Sequence, residues 1–224
     1  MATQSVTQPG AGVPTQVEPF LERLVGWTRT HRQATSWIST IVIVGAVLFV
    51  WTASSTRRSE AIAGRQLQGA RYAFDNNNLP LAASELARII ENYSGTSAAA
   101  EGRLLLAQVR LTQGQAQQAV ELMKDWAPSA GAGFRAQAYG LLGAAYENLG
   151  KARDAAEAYQ NGAERARMSF LKAQMLSDAG RAWAAAGDTT KAIAAYRRIV
   201  DDMPKEPAVT EATVRLGELT KGSR

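Results

Sequence analysis

Two kinds of hydrophobic pattern divide the chain. From Gln33 to Thr56 there is no charged residue, and the centre reads Ile41-Val42-Ile43-Val44-Gly45-Ala46-Val47-Leu48-Phe49-Val50, apolar on every helical face. From Ser59 onward, apolar positions recur at three- and four-residue intervals among charged ones, with short glycine or polar breaks. The first pattern has the length and character of a helix that crosses a bilayer, which takes about 20 mostly apolar residues. The second predicts amphipathic helices joined by tight turns. Residues 1–17, rich in Thr, Gln, Gly, Val and Pro, bury nothing periodic and read as a disordered tail. Between them Phe20, Leu21, Leu24, Val25 and Trp27 stand at near-helical spacing. That spacing predicts either an interfacial helix or a plain lead-in to the membrane. The organisation expected is therefore a tail over 1–17, a juxtamembrane segment over 18–35, a transmembrane helix over 36–55 and a repeat domain over 59–220.

Trp37 and Trp51 would stand about 21 Å apart along such a helix, where indole rings favour the two headgroup zones. A cleavable signal peptide would begin its apolar core much earlier and end at a small-residue cleavage site. A retained anchor is the better expectation. Its orientation stays open, because Arg23, Arg29 and Arg32 flank one end and Arg57, Arg58, Arg65 and Arg71 the other.

The soluble region carries an internal period. Asn77, Gly114, Gly150 and Gly187 each fall at a break between two helical patterns, about 36 or 37 residues apart. In the third unit Leu142, Gly143 and Tyr146 precede the turn and Ala155, Tyr159 and Gly162 follow it. The fourth repeats the series with Gly180, Trp183, Ala192, Tyr196 and Pro204. The second keeps Leu106, Ala107, Ala119 and Met123 but has Arg110 where an aromatic is usual. The first matches in character only, through Ala73, Ala82, Leu86 and Tyr93. The series resembles the tetratricopeptide pattern, so the expected fold is all-α: four stacked helix pairs, closed by a capping helix over Glu206 to Leu219. Small residues such as Gly143, Ala155, Gly180 and Ala192 should let paired helices approach. Tyr146, Tyr159, Trp183 and Tyr196 should fill the space between one pair and the next. No pair buries its apolar face alone, so the units must stack.

Composition narrows the chemistry. The chain has no cysteine and a single histidine, His31, which excludes disulfides, thiolate metal sites and cysteine nucleophiles. The carboxylates fall into no metal-ligand spacing. Gly131-Ala132-Gly133 lacks the Lys-Ser/Thr of a phosphate loop, and Asn92-Tyr93-Ser94 matches a glycosylation sequon of a kind common by chance. A net charge of +5 invites a nucleic-acid reading, but acidic residues are interspersed throughout the soluble region, which is the pattern of solvated helix faces. No catalytic residue, cofactor, metal, nucleic acid or small-molecule substrate is expected. The expected partners are other proteins, with the bilayer contacted through residues 36–55.

In stacked helix pairs the first helix of each lines a concave face. Counting positions 2, 5, 9 and 12 of each unit assigns Leu67, Arg71 and Phe74 from the first and Glu101, Leu104, Gln108 and Leu111 from the second. Gln137, Ala144 and Glu147 follow from the third, then Gln174, Ser177 and Arg181 from the fourth. Mixed apolar and polar character of this kind suits an extended peptide or a partner helix. The Lys/Asn arrangement that clamps a terminal carboxylate is missing from it.

The layout resembles the bacterial YfgM-like proteins, ancillary subunits of the Sec translocon. The residues that carry this are Phe20-Leu21 before the anchor, Arg71-Tyr72-Ala73-Phe74 through Ala82-Ala83, and Ile89-Ile90-Glu91-Asn92-Tyr93. Leu104-Leu105-Leu106-Ala107-Gln108-Val109, with Gly114 and Ala119-Val120, extends the likeness. The resemblance implies a single-pass protein of the bacterial inner membrane with a periplasmic repeat domain, contacting translocon subunits, emerging chains or periplasmic chaperones. Two other readings stay open: an accessory or assembly subunit of a different inner-membrane complex, and a cytoplasmic adaptor tethered to the membrane.

Overall fold

The computed structural model describes residues 32–220, in which every element is a helix and no strand occurs. The expected tail, His31 and the juxtamembrane segment up to residue 31 lie outside the described residues. Nine helices follow in order among them: α1 (Arg32–Asp75), α2 (Leu79–Asn92), α3 (Ser97–Thr112), α4 (Ala116–Lys124), α5 (Arg135–Asn148), α6 (Ala152–Arg165), α7 (Ser169–Ala185), α8 (Thr189–Asp202) and α9 (Ala208–Thr220). The chain divides into two compact units between Ser55 and Thr56, inside α1.

In the first unit the apolar side chains from Ile41 to Trp51 are exposed. The helix is long and apolar enough to cross a membrane: an 18-residue window of it has a mean hydropathy of 1.5 and none of that window is buried.

The second unit is a stack of antiparallel pairs, α1/α2 (from Thr56), α3/α4, α5/α6 and α7/α8, with α9 packed on α7 and α8. Each pair is closed by one left-handed residue. Asn77, Gly114, Gly150 and Gly187 have φ of 59°, 73°, 69° and 78°, the four positions at which the sequence period places its breaks. Glycine reaches this region without a Cβ clash, and asparagine is among the few other residues that tolerate it. The same hydrogen bond reappears at each turn, from the N–H of Asn78, Gln115, Lys151 and Asp188 to the carbonyls of Ala73, Arg110, Tyr146 and Trp183. Side chains then cap the next helix: Asn78 and Asp188 accept from the amides of Leu81 and Lys191, at 3.3 and 3.0 Å. Helix α4 is shorter than its counterparts. Pro128 follows it and cannot donate a helical hydrogen bond, and the chain crosses to α5 through Gly131–Gly133.

Three apolar clusters run along the stack, joining the first and second pairs, the second and third, and the third, fourth and α9. In one respect the packing differs from the sequence expectation. The rings of Tyr159 and Tyr196 do not simply wedge between pairs; each lies on the glycine of its own pair. A Cβ added at Gly143 would stand 2.7 Å from Tyr159, and one at Gly180 would stand 2.7 Å from Tyr196. Trp183 is 2% exposed, and its indole N–H donates to Gln160 across the interface between pairs. Arg110, where an aromatic is usual, instead reaches across its own turn to the Gln113 and Gln115 side chains.

Candidate partner-binding groove

Helices α1, α3, α5 and α7 lie side by side because equivalent residues of successive pairs meet. Glu60 accepts hydrogen bonds from the Ser97 and Ala98 amides at 2.8 and 2.9 Å. Arg71 pairs with Glu101, Arg181 with Glu147, and Ser177 donates to Glu211 of α9 at 3.3 Å. Along these first helices lies a groove of about 460 Å³, lined by Arg71, Glu101, Leu104, Leu105, Gln108, Phe134, Gln137, Gly140, Leu141 and Met175.

Five of the residues assigned from sequence position stand together there: Arg71, Glu101, Leu104, Gln108 and Gln137. Others do not. Leu67 is buried in the core of the first two pairs, and Phe74 and Leu111 are half-buried against the core. Leu104 itself is 9% exposed and belongs mainly to the second-to-third-pair cluster. Ala144 is half-buried, Gln174 is exposed and Ser177 is buried. Glu147 and Arg181 form a separate charged group further along.

Counting positions 2, 5, 9 and 12 of each unit misses Leu105, Phe134, Gly140, Leu141 and Met175. At 3.6 residues per turn, Leu105 stands about 40° round the helix from Glu101 and Leu104 about 60° the other way, toward the core. Leu141 has the same relation to Gln137. The informative spacing was i, i+4: Glu101 with Leu105, and Gln137 with Leu141.

Electrostatics divide the face in two. The Arg71–Glu101 pair closes one side of the apolar groove. Beyond it, Arg181 bonds Asp178 at 2.8 Å as well as Glu147, and the Tyr159 hydroxyl donates to Glu147 at 2.7 Å. Burial raises the Tyr159 pKa, and the bond to Glu147 raises it further. Burial works against charge on Arg181, but its bonds to Asp178 and Glu147 outweigh that and hold it charged. Burial also pushes the Asp178 carboxyl above its ordinary value, against the pull of Arg181.

That direction has a consequence for stability. A carboxyl whose pKa is higher folded than unfolded favours the native state below its unfolded pKa, and the contribution is lost as pH rises through the native value. Asp178→Asn removes this titration, so the stability of the native sequence relative to the variant should rise as pH falls from 7 to 4. Paired urea unfolding curves across that range would show it. A difference that stays flat, or runs the other way, would contradict the arrangement.

A second cleft, about 410 Å³, lies among α6, α7 and α8, with Glu157, Glu164, Lys191 and Arg198 on its walls. The Lys191 ammonium stands 4.0 Å from the Trp183 ring centroid there. Among the described residues no group of three or more His, Cys, Asp or Glu is placed to hold a metal ion.

Stacked helix pairs with a left-handed turn in each and a groove along the first helices define a tetratricopeptide-type solenoid. The chain belongs to the tetratricopeptide repeat-like domain family, which matches residues 54–177. Solved structures share the fold. MamA is 19% identical with a TM-score of 0.55, over 68% of this chain and 83% of that one. A Podosopora anserina putative kinesin light chain with nearly identical TPR-like repeats is 19% identical with a TM-score of 0.57, over 70% and 84%. A tetratricopeptide repeat protein from Parabacteroides merdae is 14% identical with a TM-score of 0.55, over 71% and 60%. No curated protein matches the chain significantly. Repeats of this kind are protein–protein interaction modules and typically non-catalytic scaffolds.

Proposed function

We propose that this protein is a membrane-anchored interaction subunit that holds a protein partner close to a bilayer through the groove on α1, α3, α5 and α7. The carrying observation is a pairing of two features in one chain. A groove with apolar walls at Leu105, Phe134, Leu141 and Met175 and a charged margin at Arg71 and Glu101 accompanies an exposed apolar helix of membrane-spanning length. A groove of that character accepts an apolar helix face or an extended peptide, while the polar margin sets register.

Within this reading, the resemblance to YfgM-like proteins supports an ancillary subunit of the Sec translocon in a bacterial inner membrane. Its repeat domain would be periplasmic and would pass emerging chains toward periplasmic chaperones. The alternative is an accessory or assembly subunit of another inner-membrane complex, which would use the same anchor and groove on a fixed partner.

Reporter fusions after residue 224, with protease protection on spheroplasts, test the topology. A periplasmic carboxyl end and copurification of translocon subunits from mild detergent are expected. A different stoichiometric complex would favour the alternative, and a cytoplasmic end would overturn the periplasmic reading.

A further inference from the structure

We propose that the repeat unit has a membrane-facing edge, and that the α6–α7 junction inserts Met168 and Phe170 into the headgroup zone of an anionic bilayer. The inference rests on the anchoring reading above and extends it from the apolar helix to the repeats.

First, the fold groups the junctions between successive pairs on one edge. The first helices of the pairs run parallel, so their amino-terminal ends lie together. Two bonds that span the repeat period mark this: Glu60 accepts from the Ser97 amide, and Ser169 donates to the Glu206 carboxylate. The left-handed turns at Asn77, Gly114, Gly150 and Gly187 lie at the other ends of these helices, about 22 Å away for sixteen helical residues.

Second, the chain enters the repeat unit at this same edge, at Thr56. From Trp51 to Glu60 it spans only about 30 Å even fully extended. If the apolar helix spans the bilayer, no orientation of the repeats can move the Glu60 corner far from the headgroups.

Third, one junction on that edge has the composition of an interfacial contact. Arg167, Met168, Ser169 and Phe170 are exposed in succession. Met168 and Phe170, at 50% and 55% exposed, leave two large apolar side chains in water within three positions. Scattered exposed apolar residues are ordinary, but a close pair flanked by Arg167 and Lys172 is the pattern that partitions into a headgroup layer. There the apolar groups leave water and the cations meet lipid phosphates. Glu206, bonded to Ser169 between the two apolar side chains, and Asp201 and Asp202, at the end of α8, share the edge and oppose the attraction. Insertion of the apolar pair should therefore contribute more than charge.

The absence of native cysteine makes the test clean. The full chain would be reconstituted into vesicles of phosphatidylcholine and phosphatidylglycerol with spin-labelled lipid as quencher. An environment-sensitive fluorophore would be placed singly at Met168→Cys, Leu81→Cys or Val44→Cys. Leu81 is also exposed and apolar but lies beside the Asn77 turn, on the opposite edge. The label at position 168 should be quenched at least twofold more than that at 81, and Phe170→Asp should reduce it to the level at 81. Equal quenching at 168 and 81, with 44 quenched, would overturn the proposed edge and leave the anchor standing. An unquenched label at 44 would remove the anchor and this inference with it.

Discussion

Replacing Gly180 with tryptophan is expected to unfold the carboxyl-terminal repeats. Even a single Cβ at this position would stand 2.7–2.9 Å from three ring atoms of Tyr196, closer than real Cβ contacts come. The ring has nowhere to go, since Tyr196 is almost fully buried among Trp183, Ile199 and Leu176. Alanine should cost about 1–3 kcal/mol, the usual range for overpacking, and lower the melting temperature by several degrees. Tryptophan should exceed what the fourth pair can absorb, and circular dichroism would show lost helix at ambient temperature. Since stability in a solenoid is shared between neighbours, the α1–α4 portion should hold its structure longest. Hydrogen exchange would register protection surviving in α3 while α7 and α8 exchange freely. Uniform retention of the native melting curve in Gly180→Trp would contradict the packing described.

The second large effect concerns function. Leu105 and Leu141 face the groove and are only half-buried. The double replacement Leu105→Glu/Leu141→Glu should reduce partner retention at least tenfold, which takes only about 1.4 kcal/mol of lost contact. Helical content should be retained, with a loss of a few degrees in melting temperature, because both side chains also pack at the margins of the core clusters. Leu104 must not be used for this purpose although it also reaches the groove. Its side chain belongs to the core with Met123 and Leu142, and a buried glutamate there would unfold the protein rather than blunt its surface. Retention unchanged by the double replacement would show that the partner binds elsewhere, with the α6–α8 cleft next to be tested.

Much of this architecture is legible in the sequence. The turn period could be read because only glycine or asparagine fills a left-handed turn cheaply, so Asn77, Gly114, Gly150 and Gly187 advertise their own backbone. The run from Ile41 to Val50 could be read as a helix of membrane-crossing length because it is apolar on every helical face. The groove was half legible. Arg71, Glu101, Gln108 and Gln137 stand on its wall, since polar residues on the first helices must face outward somewhere. Leu104 and Leu105 are neighbours of identical character, and only the position of the adjoining pair decides which faces the core. Phe134 was hidden in the loop before α5, and Met175 looked like any other core residue. The glycine–tyrosine contacts needed the structure as well, because the sequence states that Gly143 and Tyr159 are small and large without saying that they touch.

The central claim is that an anchored solenoid holds a protein in its groove, and site-specific photocrosslinking in native membranes tests it most directly. A photoreactive amino acid at Gln137, an exposed groove position, should give a discrete adduct in the membrane fraction that survives alkaline extraction. That adduct should vanish in Leu105→Glu/Leu141→Glu and should be missing when the probe sits at Arg197, on the exposed side of α8. An adduct with a translocon subunit would support the ancillary-subunit reading. No adduct at Gln137, or the same adducts from Gln137 and Arg197, would contradict the account.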